Sequence, residues 1–406
     1  MSKFLYFNIP ATGHVNPTLP VMAELVRRGE TVIAYNAEPF RARVEATGAA
    51  FQAYPLAFDA AAVMRSAQTG SLPRVARLLA ETAQAVLPWV IEYIRQEQPD
   101  ALIYDSLCLW GYIAGARMHM PTAASITTFA FGNGSTPPLG LMLRQFAADW
   151  RDLLAFQRLY RRLRREYSVI GLGTGTLSDA LSATGGMNIV FTSRAFQPHS
   201  QNFDESYIFV GPALAPRADD PPFPFEQVIR QPVVYIARGT LNNQDIGFYR
   251  ACFDAFADHP GQFILSYGQS IDPAALGAIP ANFIARPFVP QLDVLQRVDA
   301  FITHGGMNSV HEGLYNAVPL VVVPAQPEQV ETARQVERVG AGLALGMRPP
   351  LGQVNAADLR AALDRIMNDG RFRRQAAEIG ASLKAAGGAP RAADALQALA
   401  RGEARV

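Results

Sequence analysis

Short apolar runs alternate along the whole chain with longer segments of helical periodicity. In the first half the runs are "FLYFNI", "TVIAYN", "FQAYPL", "ALIYD" and "PTAASIT". In the second they are "PVVYIA", "QFILSY", "NFIAR", "AFIT" and "LVVVP". Each is rich in Val, Ile, Tyr or Phe and is bounded by polar residues, Gly or Pro, which predicts strands. In most of them three or more apolar residues follow one another without alternation, as expected when both faces of a strand are buried in a parallel sheet. Between them the spacing predicts helices. One runs from about Pro17 to Arg28, with Asn16 as N-cap and Pro17 at the first helical position. Another, "PFRARVEATG", ends at Gly48, and a long one covers Leu72 to Gln96. Later helices are expected over "GFYRACFDAFADH", Gln291–Val298, Asn308–Asn316 and Glu328–Val339, with a helical tail from about Ala356 to Arg405. Strand and helix in turn imply open α/β sheets covered on both sides.

The proline-rich stretch "VGPALAPRADDPPFPF" interrupts this alternation and reads as a linker. It sets residues 1–210 apart as a first domain, 211–228 as linker and 229–385 as a second domain, leaving 386–406 as a C-terminal helix. Two Rossmann-like parallel-sheet domains facing each other would take a ligand in the cleft, beyond the carboxyl ends of their strands.

Composition narrows the function classes. The 406 residues are 49% hydrophobic and 17% charged, with a formal net charge of +1. No overall field draws the chain to nucleic acid or an anionic membrane. The one dense basic run, "RLYRRLRREY" (Arg158 to Tyr167), is read as a solvated helix face. Cys108 and Cys252 lie far apart, so no disulfide framework is expected and a reducing cytoplasm fits. No segment approaches about 18 consecutive apolar residues, so stable membrane insertion is not expected. The N-terminal apolar run breaks at Pro10, too short for a secretory leader.

The chemistry sits at the predicted strand ends. After the first strand comes "PATGHVNP", where His14 is either a general base or a locally packed loop histidine. After "ALIY" stands Asp105, either the carboxylate that orients a histidine or the cap of the next helix. If the two strands are neighbours, the two side chains can meet. After "AFIT" comes "HGGMNSVHE". Gly305 and Gly306 allow close approach of backbone, and a helix N-terminus carrying Asn308 and Ser309 favours an anion such as phosphate. His304 adds a donor. Glu312, one turn on, lies on the face of Asn308 and can accept from a ribose diol. After "LVVVP", Glu328 and Gln329 suit sugar hydroxyls. The chain lacks G-x-G-x-x-G after its first strand and lacks G-x-x-x-x-G-K-[ST], which argues against a dehydrogenase and a P-loop NTPase. With no D-x-D, no metal ligands for a diphosphate are evident.

Three segments, "FNIPATGHVNPTLPVMAELVRRGE", "PDALIYDSLCLWG" and above all "RPFVPQLDVLQRVDAFITHGGMNSVHEGLYNAVPLVVVPAQPEQ", resemble the inverting GT-B glycosyltransferases of the UDP-dependent natural-product group, nearest to the bacterial macrolide branch. The resemblance spans nearly the whole chain. It implies a UDP-sugar co-substrate, glucose favoured, a small hydrophobic acceptor bearing a hydroxyl, and no metal or permanently bound cofactor. It makes His14 the base and Asp105 its support. Phe288 would stack on uracil, and Val289 would meet it through its backbone. Gln291 would lie near the nucleoside. His304, Gly306, Asn308 and Ser309 would hold the diphosphate, Glu312 the ribose, and Glu328 and Gln329 the sugar. The C-terminal helix would pack back on the first domain. The chain departs from the family after "VVYI", where Ala237-Arg238-Gly239-Thr240 replaces the usual Ser-Leu-Gly-Thr. Thr240 keeps a donor; Arg238 either contacts the diphosphate or narrows the pocket. Two alternatives remain: a sugar-nucleotide epimerase of the same fold, and a non-catalytic nucleotide-sugar-binding helper. Apolar residues around Phe129, Phe131 and Met142 favour an acceptor pocket, bounded by segments 58–72 and 129–150.

Overall fold

The computed structural model describes residues 1–55, 71–131, 139–169, 177, 181, 183–215, 220–239 and 245–403, with backbone alone over 139–148. The chain forms two compact units, residues 1–214 with 386–406, and residues 215–385.

The first unit holds a parallel sheet of strands β1 (Lys3–Phe7), β2 (Thr31–Asn36), β3 (Ala50–Ala53), β4 (Ala101–Asp105), β5 (Thr122–Ile126), β6 (Met187–Val190) and β7 (Tyr207–Phe209). Their order across the described sheet is β3-β2-β1-β4-β5-β6-β7. Successive residues point to opposite faces, and the two cores divide accordingly. Leu5, Phe7, Tyr35, Leu102 and Tyr104 pack against helices α4 (Leu72–Glu97), α5 (Leu109–Met118) and α6 (Leu139–Glu166). Phe4, Tyr6, Val32 and Ile103 face α2 (Leu19–Arg27) and α13 (Gly388–Ala400). Each such side chain, fully buried, contributes about 1.5–3 kcal/mol. Arg28 ties the two helices of the second layer, donating to Asp394 at 2.6 Å and Gln397 at 2.9 Å.

The second unit repeats the plan. Its strands are β8 (Val233–Ala237), β9 (Gln262–Ser266), β10 (Phe283–Arg286), β11 (Ala300–Thr303), β12 (Leu320–Val322) and β13 (Gly342–Ala344), ordered β10-β9-β8-β11-β12-β13 and all parallel. Helices α7 (Ile246–Phe256) and α11 (Ala356–Asn368) cover one face, burying Val234, Ile236, Ile302 and Val321. Strands β6, β7 and β13 were not among the expected runs; they have three or four residues each.

The helix expected from Pro17 begins later. A single turn, α1 (Thr12–Val15), ends at Asn16, and α2 starts at Leu19 after Thr18. Thr18 Oγ1 donates to the Val15 carbonyl and accepts from Asn8 Nδ2, both at 2.8 Å, which fixes the break. The arginine run lies in α6: Tyr160 and Leu163 are buried, and Arg158, Arg161, Arg162, Arg164 and Arg165 are exposed. Among the described residues no helix is long and apolar enough to cross a membrane.

Candidate active site

In each sheet one pair of neighbouring strands sends its connections in opposite directions, and ligands bind at such switch points. In the first sheet the pair is β1 and β4; in the second it is β8 and β11.

His14 follows β1 on the α1 turn, and Asp105 is the last residue of β4. Phe7 pairs with Tyr104, so both strands end side by side. His14 Nδ1 lies 2.7 Å from Asp105 Oδ2. The carboxylate is fully buried, while the imidazole is 20% exposed. The other carboxylate oxygen, Oδ1, accepts from the Leu107 backbone N–H at 2.9 Å. Asp105 therefore shapes the turn and meets the histidine at once; the cap of α5 is Cys108. A carboxylate accepts only, so the proton of this bond lies on Nδ1, which makes Nε2 the acceptor nitrogen of the neutral ring. Thr127, just beyond β5, adds a contact that the sequence did not reveal: its Oγ1 is 3.1 Å from the same Nδ1. β5 pairs with β4, with Asp105 opposite Ser125, which brings residue 127 to this end of the sheet.

The end of β11 carries His304, Gly305 and Gly306. Gly305 has φ +85°, and a Cβ there would lie 2.6 Å from Val322 Cγ1. A Cβ on Gly306 would lie 2.4 Å from His304 Nε2, and one on Gly239 2.6 Å from its Cε1. Two glycines thus make room for the imidazole. Its Nδ1 is buried with no hydrogen-bond partner among the described residues. Burial, with the charge of Arg238 second, lowers the His304 pKa to about 4, so the ring is neutral at pH 7. Helix α9 (Met307–Tyr315) starts beside it, its N-cap Gly306 having no side chain to cap the backbone N–H groups of the first turn, where Asn308 and Ser309 stand.

Helix α8 (Gln291–Leu295) brings Gln291 to α9. Gln291 Nε2 donates to Glu312 Oε2 at 2.6 Å and to Ser309 Oγ at 3.2 Å. Glu312 is buried in the fold. Just upstream, Val289 is buried and Phe288 is 37% exposed. After β12, helix α10 (Pro327–Arg338) opens with Glu328 exposed and Gln329 buried. The amide oxygen of Gln329 accepts from the backbone of Ala325 at 2.8 Å and Gln326 at 3.1 Å, so it is committed to shaping the loop.

Arg238 is 3% exposed. Its guanidinium donates to the Val323 carbonyl at 3.1 Å, approaches Asp245 at 3.5 Å and stacks 4.4 Å from the Phe248 ring. Thr240 lies outside the described residues, as does most of segment 58–72 and the side chain of Met142. Phe129 packs into the core against Phe196, with ring centroids 5.6 Å apart, whereas Phe131 is exposed. Among the described residues no group of three His, Cys, Asp or Glu could hold a metal ion.

The chain is 34% identical to an uncharacterized UDP-glucosyltransferase of Bacillus subtilis, over 98% of this chain and 97% of that protein. It superposes on the glycotransferase of kitacinnamycin with a TM-score of 0.84 at 26% identity, covering 98% of this chain and 99% of the other. With CalG4, the calicheamicin glycosyltransferase, the TM-score is 0.82 at 29% identity over 100% of both chains. Residues 154–383 match the family described as UDP-glucoronosyl and UDP-glucosyl transferase. By family match, identity and GT-B fold alike, this chain belongs to the UDP-dependent glycosyltransferases.

Proposed function

We propose that the chain transfers a hexose, glucose being the favoured sugar, from a UDP-sugar to a hydroxyl of a small hydrophobic natural product, with inversion at the anomeric carbon. The observation that carries this reading is the 2.7 Å contact between His14 and Asp105 at the β1/β4 switch point. His14 Nε2 removes the acceptor proton as the oxygen attacks the anomeric carbon. UDP departs from the opposite side, so one displacement inverts the configuration. Asp105 fixes the tautomer and stabilises the imidazolium as it forms. General-base help of this kind is worth about 10²–10⁴-fold.

The second unit supplies the leaving-group site. Phe288 offers an exposed ring face to uracil, and Val289 its backbone. Glu312 accepts from the ribose, with Gln291 sharing its carboxylate. The first turn of α9, with Asn308, Ser309, Gly306 and neutral His304, meets the diphosphate by backbone and side-chain donors. Thr240 adds a hydroxyl. Glu328 accepts from the sugar; Gln329 keeps its oxygen on the loop and offers its amide protons. Charge stabilisation comes from these donors and the helix dipole. The cytoplasm, where nucleotide sugars are made, suits the two free, buried cysteines.

The test is acceptor-dependent UDP release. UDP-glucose and alternative UDP- and dTDP-sugars are offered with phenolic and macrolide acceptors, and the product's anomeric configuration is read by NMR. Inverted glycoside is expected. Retained configuration refutes the single displacement, and sugar interconversion without acceptor favours the epimerase. Binding of UDP with no release in any combination favours the helper.

A further inference from the structure

Arginine at position 238 is costly where it stands. Taking a guanidinium out of water costs several kcal/mol unless its donors are well paired. Here one donor has a carbonyl, one has a distant carboxylate on a half-exposed residue, and Nε is buried with no partner among the described residues. The placement across the sheet explains what the cation does. Ala237 pairs with Thr303, and Thr303 with Val322. Arg238, His304 and Val323 therefore form the next row, one at the end of each of three adjacent strands. Arg238 reaches Val323 across β11, two strand spacings of about 4.8 Å each. Its charge, after burial, depresses the proton affinity of His304, the middle member of that row.

The surroundings are cut to fit it. Phe248 lies under the guanidinium plane at 4.4 Å. Gly352 has φ +77°, and a Cβ there would stand 3.2 Å from Nη2 and 3.2 Å from the Pro324 carbonyl. Val323 and Pro324 lead directly into Ala325–Gln329, whose backbone Gln329 also holds.

Resting on the donor-site reading above, we propose that Arg238 is a positioning residue, a buried staple that ties the end of β8 to the end of β12 and so sets the loop carrying Glu328 and Gln329 for the sugar. It acts through the Val323 carbonyl and does not touch the diphosphate.

Arg238→Met keeps much of the length and removes the fork and the charge; Arg238→Lys keeps a charged donor but loses the planar fork and part of its reach. With UDP-glucose as donor, Arg238→Met is expected to raise the donor KM about tenfold, the scale of one hydrogen bond to a charged group, and to lower kcat. The Kd for UDP, which lacks the sugar, should move by no more than about threefold. Arg238→Lys should share most of the KM defect. In the ligand-free proteins, backbone amides of residues 304–307, 325, 326, 328 and 329 should exchange faster in Arg238→Met than in wild type. A loss of UDP affinity equal to the loss for UDP-glucose would mean a diphosphate contact and overturns the proposal. So does a lysine variant equal to wild type, since the fork and its reach to Val323 are then not needed. Unchanged amide exchange overturns it too, without recourse to any donor. A wild-type chain that binds no UDP and turns over no UDP-glucose defeats the donor-site reading instead, and the exchange result still decides the staple.

Discussion

The two switch points occupy the same place in the same topology and hold opposite chemistry. At β1/β4 a fully buried carboxylate meets a histidine that is 20% exposed, so the strand ends present an imidazole with a fixed tautomer. At β8/β11 a histidine sits between two glycines beside a buried guanidinium, with the first turn of a helix next to it. On the proposed reading the first site takes a proton and the second meets an anion. The contrast rests on few residues: Asp105 against Arg238 sets the sign of the buried charge, and glycine at 239, 305 and 306 opens the backbone. A sheet fixes where chemistry happens; the residue just past each strand decides which chemistry it is.

Substitutions break or sharpen that contrast in graded steps. The largest effect is expected at the first site: His14→Ala should lower turnover on an alcohol acceptor by about 10²–10⁴-fold while the calorimetric Kd for UDP holds. Near-normal turnover would remove the proton-taking half of the comparison. Next, Gly305→Ala forces a Cβ to 2.6 Å from Val322 at φ +85°. Strain of this kind costs about 1–3 kcal/mol, visible as a lower Tm together with weaker UDP binding. Thr127→Val is expected to cut kcat by roughly three- to tenfold, the scale of one neutral hydrogen bond, with donor KM unchanged. Thr127→Ser should restore it; failure of serine to rescue would reduce Thr127 to packing. The smallest effect is in pH. The His304 pKa is lowered to about 4 from 6.5, so the unfolded chain binds the extra proton first. Stability is full above about 6.5 and declines as pH falls toward 4. A Tm series over that window should slope in wild type and slope less in His304→Asn, and UDP affinity should show no histidine titration between pH 6 and 8.

Much of this was legible in the order of residues. Stretches such as "FLYF" and "AFI" are continuously apolar because both faces are covered, and that pattern points to a parallel sheet. The "HGGMNSVHE" stretch announces itself since all its groups are local to one strand–helix turn. What stayed hidden depends on distance across the sheet. Thr127 meets His14 only because β5 lies beside β4. The partner of Arg238 is 85 residues away, two strands over. Gln329 looked like a pure sugar ligand because a sequence does not disclose that its oxygen is already taken by the loop. The break between α1 and α2 turned on a hydroxyl, Thr18, bonding back to Asn8 across the first strand end.

The first unit is discontinuous, closed by residues 386–406. During synthesis its sheet must therefore wait for α13 with Val21, Met22 and Leu25 only partly covered on that face. Roughly 170 residues of the second unit are made in between, which at about 5–20 residues per second is of the order of ten to thirty seconds. For that interval the apolar face is a client for chaperones, and a chain cut short before α13 would keep it exposed. A helix made only after the whole second unit completes the first.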